Sequence, residues 1–155
     1  MATITRTESV QDILATEAIL SSDSHIMEPP DLWEKRLPAA LADKLPKFGP
    51  RGGKNSGGGD PTLRVQEMAT DGVSGEVLYH TLGLRLFAVE DRAAQEAAFQ
   101  VGNDYMAEYC SAAPDRLWGI PMLSCYDIET LVKMVQTARE SSAEAKAGVE
   151  QFSPK

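Results

Sequence analysis

Three side chains that could bind a metal ion lie close together in the sequence: Asp23, His25 and Glu28. If the segment ending at His25 is a β-strand, its period of two places Asp23 and His25 on one face. Ligand sites in α/β enzymes commonly lie at the carboxyl ends of strands, so this pair could begin a metal site. The structural alternative is a strand-end turn with an Asp cap and a hydrogen-bonded His. Glu28 would either add a third ligand to the metal site or hold the loop instead.

The elements that must position these residues alternate along the chain. Apolar runs predict strands at 18–25, 76–79 and 117–123. Helical spacing predicts helices at 63–70, 90–113 and 128–138, with Gly72 ending the first and Asp127 capping the last. Short helical pieces are expected after Asp31. Alternating strands and helices with apolar strands favour an α/β fold with a parallel sheet.

The composition changes divide the chain into three parts. We expect a flexible N-terminal arm at 1–17, a folded part at 18–140, and a disordered or frayed tail at 141–155. Within the folded part, the Gly-rich run at 48–61 is expected to be a flexible loop. It does not fit a phosphate loop, because Phe48 and Asn55 stand where Gly and Ser or Thr are needed.

The bulk composition excludes several classes of protein. The 155 residues are 43% hydrophobic and 25% charged, with a net charge of −8, so a nucleic-acid partner is not expected. No apolar run approaches the roughly 18 residues that span a bilayer, and the N-terminus lacks the apolar core of a signal peptide. These features predict a cytoplasmic protein without a membrane partner. Cys110 and Cys125 are predicted to be reduced, buried thiols.

The run SDSHIMEPPDLW at 22–33 resembles the first-strand motif of the amidohydrolase-related proteins, a branch of the amidohydrolase superfamily that includes metal-dependent hydrolases and decarboxylases. The similarity continues from Arg64 to Gly83, and again from Asn103 to Met122. It covers residues 18–140 approximately.

The resemblance implies a (β/α)8 barrel with a divalent metal at the carboxyl ends of its strands. The typical first-strand motif is His-x-His, and many members of this branch have Asp or Glu first. Asp23 and His25 would therefore be the first-strand ligands, with Glu28 as a third candidate. Zinc is the first expectation, with manganese and iron as alternatives. The implied reaction is hydrolysis or decarboxylation of a small acid, aromatic acids included, by a metal that activates water or polarises a carbonyl.

The chain also departs from that family. A complete barrel needs about 250 residues, so the fold expected here is an incomplete (β/α)8 TIM barrel, the first three βα units with parallel strands. The family's later histidine ligands have no counterparts, because His25 and His80 are the two histidines of the chain. His80 stands where members usually have Pro, and is either an incidental surface residue or an added ligand. The chain is thus expected to be a truncated metal-dependent hydrolase or carboxy-lyase, or else a non-catalytic barrel fragment that self-associates into a homo-oligomer.

Overall fold

The computed structural model describes residues 18–49, 56–126, 128–129, 131–133 and 135–136. The predicted arm at 1–17, loop residues 50–55, the predicted cap Asp127 and the predicted tail at 141–155 lie outside the described residues. The described chain is a mixed α/β structure around a three-stranded parallel sheet with strand order β1-β2-β3. The strands are β1 (Leu20–His25), β2 (Gly75–Tyr79) and β3 (Leu117–Gly119). The helices are α1 (Leu32–Arg36), α2 (Ala39–Ala42), α3 (Pro61–Asp71), a 3-10 helix (Gly83–Ala88) and α4 (Arg92–Cys110). Residues 128–129, 131–133 and 135–136 are also helical, within the helix predicted at 128–138.

The three predicted strands are confirmed, although β3 is shorter than predicted. The amide of Ile120 still donates to the carbonyl of Leu78 at 2.9 Å, but Pro121 has no amide hydrogen to continue the ladder. The sheet is open within the described residues, where β1 and β3 each have one edge without a strand partner. A closed barrel is therefore not formed by this part of the chain, and none of its helices is long and apolar enough to cross a bilayer.

Helix α3 begins and ends at residues that suit those positions. The side chain of Asp60 accepts hydrogen bonds from the amides of Thr62 and Leu63 at 2.8 and 3.2 Å, and Pro61 occupies the first turn. Gly72 ends the helix with a φ of 74°, in the left-handed region that favours glycine. The role predicted for Gly72 is confirmed. The helix is longer than the predicted 63–70, because the Asp60 cap allows it to begin two residues earlier, at Pro61.

Two apolar clusters form the core. One lies between the sheet and helices α3 and α4, and its buried members are Ile26, Met68, Leu78, Met106, Tyr109 and Leu117. The other packs α1 and the 3-10 helix against α4, with Trp33 and Phe99 at its centre. The Trp33 Nε1 donates to the carbonyl of Ala98 at 2.9 Å, so the indole is fixed to α4 by both packing and a hydrogen bond.

The other face of the sheet is not covered by the described residues. His25 pairs with Tyr79, and Val77 pairs with Trp118; paired residues on neighbouring strands point to the same side. We call this side the open face, formed by Leu20, Asp23, His25, Val77, Tyr79 and Trp118. Leu20 is 59% exposed and Trp118 is 38% exposed. An added Cβ on Gly75 would lie 2.6 Å from the Trp118 ring, so the indole lies across a position that has no side chain.

The two cysteines differ in environment. Cys110, at the end of α4, is partly buried, and burial raises the pKa of its thiol to about 11. Cys125 is exposed. The prediction of a buried thiol is therefore wrong for Cys125, which follows β3 on a segment that packs only in part against the core.

Candidate functional site

Asp23 and His25 lie side by side on the open face, at the carboxyl end of β1. The Oδ1 of Asp23 is 3.7 Å from the Nε2 of His25, and their side chains are 87% and 43% exposed. Between Ser21 and Ser24 the register with β2 shifts, so β1 carries one extra residue there. Such bulges re-aim side chains and are frequent beside active sites. The side-by-side arrangement predicted for this pair is thus observed, with a bulge that the sequence did not indicate.

The ring of His25 is oriented by the segment that follows β2. Its Nδ1 lies 3.0 Å from the carbonyl oxygen of His80. A carbonyl can only accept, so Nδ1 carries the proton and, in a neutral ring, Nε2 carries the lone pair. The ring also lies 5.8 Å from that of Tyr79, at an interplanar angle of 36°. The nitrogen that faces Asp23 is therefore the one able to bind a cation.

Arg64 of α3 anchors the backbone at the end of β1. Its guanidinium donates to the carbonyl of His25, pairs with Glu76, and donates to the carbonyl of Gly57 and the hydroxyl of Tyr109. Burial raises the pKa of Tyr109 to about 12, although Arg64 opposes that shift. The sequence did not indicate this role for Arg64, because an arginine in an amphipathic helix is expected on the polar, solvent-facing side.

Glu28 is buried and holds the segment after β2. It is 1% exposed, and its carboxylate accepts hydrogen bonds from the Nδ1 of His80 and from the amides of Thr81, Leu82 and Gly83 at 2.9 to 3.2 Å. Burial alone would raise the pKa of Glu28, but the hydrogen bonds from His80, Leu82 and Gly83 prevail and the pKa lies below its ordinary value of 4.5. The loop-holding alternative is the arrangement that the structure contains.

His80 is buried, so its prediction as an incidental surface residue is wrong. It is 2% exposed, because its Nδ1 donates to Glu28 at 3.0 Å and its ring packs beside α4. A Cβ added to Gly102 would lie 3.5 Å from the Cε1 of His80. The Nε2 of His80 has no hydrogen-bond partner within the described part of the chain.

The structure thus brings Asp23 and His25 together and directs Glu28 elsewhere. Across the residues described, no three His, Cys, Asp or Glu side chains form a group that could hold a metal ion. The pair itself fits a cation. Two ligands each about 2.1 Å from a tetrahedral zinc lie about 3.4 Å apart, close to the 3.7 Å observed. A three-ligand site with Glu28 stays a prediction.

No sequence model of a protein family matches the chain, and neither does any curated protein. The resemblance to the amidohydrolase-related proteins therefore stays a prediction that depends on residues 22–33 and the segments around β2 and β3.

Proposed function

We propose that this chain carries the first-strand metal ligands of an amidohydrolase-type hydrolase or carboxy-lyase that acts on a small acid. The observation that supports it most is the position of Asp23 and His25, adjacent on the open face at the carboxyl end of β1. In α/β folds, this end of the sheet is where ligands bind.

The geometry of the pair favours shared coordination over a direct hydrogen bond. A separation of 3.7 Å is longer than a hydrogen bond. The Nδ1 of His25 is engaged by a backbone carbonyl, which is the contact that metal-binding histidines usually make through their second nitrogen. Carboxylate and imidazole together suit zinc, manganese or iron.

The remaining chemistry follows from what surrounds the pair. A bound divalent ion would lower the pKa of a water molecule or polarise a substrate carbonyl or carboxylate. Asp23 and His25 would hold that ion, and the carbonyl of His80 would keep the His25 ring in place. Tyr79 and Trp118 lie on the same face, where their rings offer a stacking surface for an aromatic acid.

Cobalt titration of the metal-free protein tests this proposal. We expect one Co²⁺ per chain, detected by visible absorption and calorimetry, with Asp23→Asn and His25→Gln each weakening binding by more than about tenfold. Asp71→Asn is the matched control, because Asp71 is an exposed carboxylate at the end of α3 and should leave affinity unchanged. Equal affinity in the wild type and both site variants would refute the proposal.

A second candidate is a non-catalytic barrel fragment that self-associates, and the exposed apolar side chains favour it. Besides Leu20 and Trp118, large apolar residues are exposed at Ile120, Ile128 and Val132, and the sheet has two unpaired edges within the described residues. Sedimentation of the same samples separates the candidates. Oligomers that hold no cobalt and dissociate in Leu20→Lys would favour the fragment; stoichiometric cobalt on the chain would favour the enzyme.

A further inference from the structure

The segment that follows β2 is tied to the segment that follows β1 by a continuous set of hydrogen bonds. The amide of Ile26 donates to the carbonyl of Tyr79 at 2.9 Å, and the hydroxyl of Thr81 donates to the carbonyl of Ile26 at 2.6 Å. Just beyond, four donors from residues 80–83 converge on the carboxylate of Glu28. The carbonyl of His80 lies inside this set, so its position is fixed relative to β1.

We propose that Glu28 is a positioning residue for His25, acting through the backbone carbonyl of His80 rather than as a metal ligand. This inference deepens the proposed function and rests on His25 being a ligand there. By holding residues 80–83, Glu28 keeps that carbonyl 3.0 Å from the Nδ1 of His25. His25 is thereby held as the Nδ1–H tautomer, and its Nε2 lone pair is turned towards Asp23.

The chemistry of imidazole explains why the hydrogen bond from the Nδ1 of His25 to the carbonyl of His80 matters. A neutral imidazole can carry its proton on either nitrogen, and the hydrogen bond made by one nitrogen decides which is free. A ring with its proton on Nε2 would present a donor to Asp23 and could not coordinate there. A fixed acceptor at Nδ1 removes that competing form. Outer contacts of this kind usually change metal affinity by about 10–100-fold when they are removed.

The imidazole of His80 does not take part directly. Its Nδ1 is used by Glu28, and its ring is buried beside Gly102 of α4 and Met122, whereas Asp23 and His25 lie on the open face. His80 therefore contributes a carbonyl to the site and a buried hydrogen bond to Glu28. An Asn side chain at position 80 supplies an amide donor to Glu28 and the same backbone carbonyl.

The test is the tautomer of His25, read from ¹⁵N chemical shifts of the metal-free protein at mildly alkaline pH. Because the chain has two histidines, the spectrum of His80→Asn contains the imidazole signals of His25 and no others. We expect the Nδ1–H tautomer in the wild type and in His80→Asn, and a mixture of tautomers in Glu28→Gln. Cobalt affinity should fall about 10–100-fold in Glu28→Gln and stay within a few-fold in His80→Asn. Glu96→Gln is the control, because it removes another partly buried carboxylate, one that pairs with Arg92 and contacts neither β1 nor residues 80–83.

Several results would overturn the inference. An Nε2–H tautomer in the wild type would refute it. Because this measurement needs no variant, it decides the question even if Glu28→Gln does not fold. A folded Glu28→Gln that keeps the single tautomer also refutes it. Loss of cobalt binding in His80→Asn with the tautomer intact would make the His80 ring a ligand instead. If the wild type binds no cobalt but Glu28→Gln changes the tautomer, the proposed function fails while the positioning of His25 by Glu28 stands.

Discussion

Replacing Glu28 with alanine is expected to lower the free energy of unfolding by at least about 3 kcal/mol, because each buried donor left without its acceptor costs about 1–3 kcal/mol. The variant leaves the Nδ1 of His80 and the amides of residues 81–83 without their acceptor in a buried place. Urea denaturation followed by circular dichroism measures the change. Glu90→Ala, at an exposed position, should change stability by no more than about 0.5 kcal/mol.

The contribution of Glu28 to stability should also depend on pH in a defined direction. Its pKa in the folded state is depressed below 4.5, so the folded protein holds this proton less tightly than the unfolded chain. The stabilisation is then fully present above the unfolded pKa and is lost as the pH falls through the folded pKa. The stability difference between the wild type and Glu28→Gln should be constant near neutral pH and shrink in acid. A difference that grows on acidification would contradict the arrangement described for the Glu28 carboxylate.

Replacing Arg64 with methionine is expected to cost a similar amount, about 3–5 kcal/mol. Methionine keeps much of the side-chain length but leaves the carboxylate of Glu76, which is 12% exposed, without its partner. It also leaves the carbonyls of Gly57 and His25 without a charged donor. The end of β1 should therefore loosen, which amide hydrogen exchange at residues 25–27 would detect together with the loss of stability.

A double-mutant cycle and a surface control isolate the contribution of the Arg64–Glu76 ion pair to stability. Adding Glu76→Gln to Arg64→Met removes the stranded charge, so the double variant should be more stable than the sum of the single changes predicts, by about 0.5–3 kcal/mol. Arg36 makes a bidentate pair with Glu108 on the surface, at 2.7 Å for both bonds. Arg36→Met should cost about 1 kcal/mol or less. Equal costs for Arg36→Met and Arg64→Met would show that burial of the Arg64 pair does not matter.

Local patterns predicted the elements and the pair on β1. Hydrophobic spacing predicts the strand ending at His25, the strand at 76–79 and the long helix before Pro114, and each is present within a few residues of its predicted bounds. The period of two placed Asp23 and His25 on one face. These features depend on residues that are close in the sequence, so the sequence alone is enough to predict them. The barrel stays a prediction, because an open sheet of three strands does not show how a larger sheet would close.

The contacts that organise the site cannot be predicted from local sequence patterns. Glu28 and His80 are 52 residues apart, and Arg64 and His25 are 39 residues apart. Whether a glutamate binds a metal or holds a loop depends on which amides lie around it, and that is decided by how β1 and β2 pair. The surface alternative for His80 is wrong for the same reason: a histidine after a strand is expected to be exposed unless a buried acceptor for its ring is known. The 3-10 helix Gly83–Ala88 has no clear periodic signal and was also missed.

The indole that lies over Gly75 gives the protein an optical reporter of its own. The chain has two tryptophans, and their environments differ: Trp33 is 1% exposed, whereas Trp118 is 38% exposed on the open face. Iodide should quench the emission of Trp118 and leave that of Trp33 nearly untouched. A small aromatic acid that settles beside Asp23 and His25 would change only the accessible emitter. Trp33→Phe and Trp118→Phe give single-emitter proteins, in which the arrival of a ligand and the melting of the core can be followed separately.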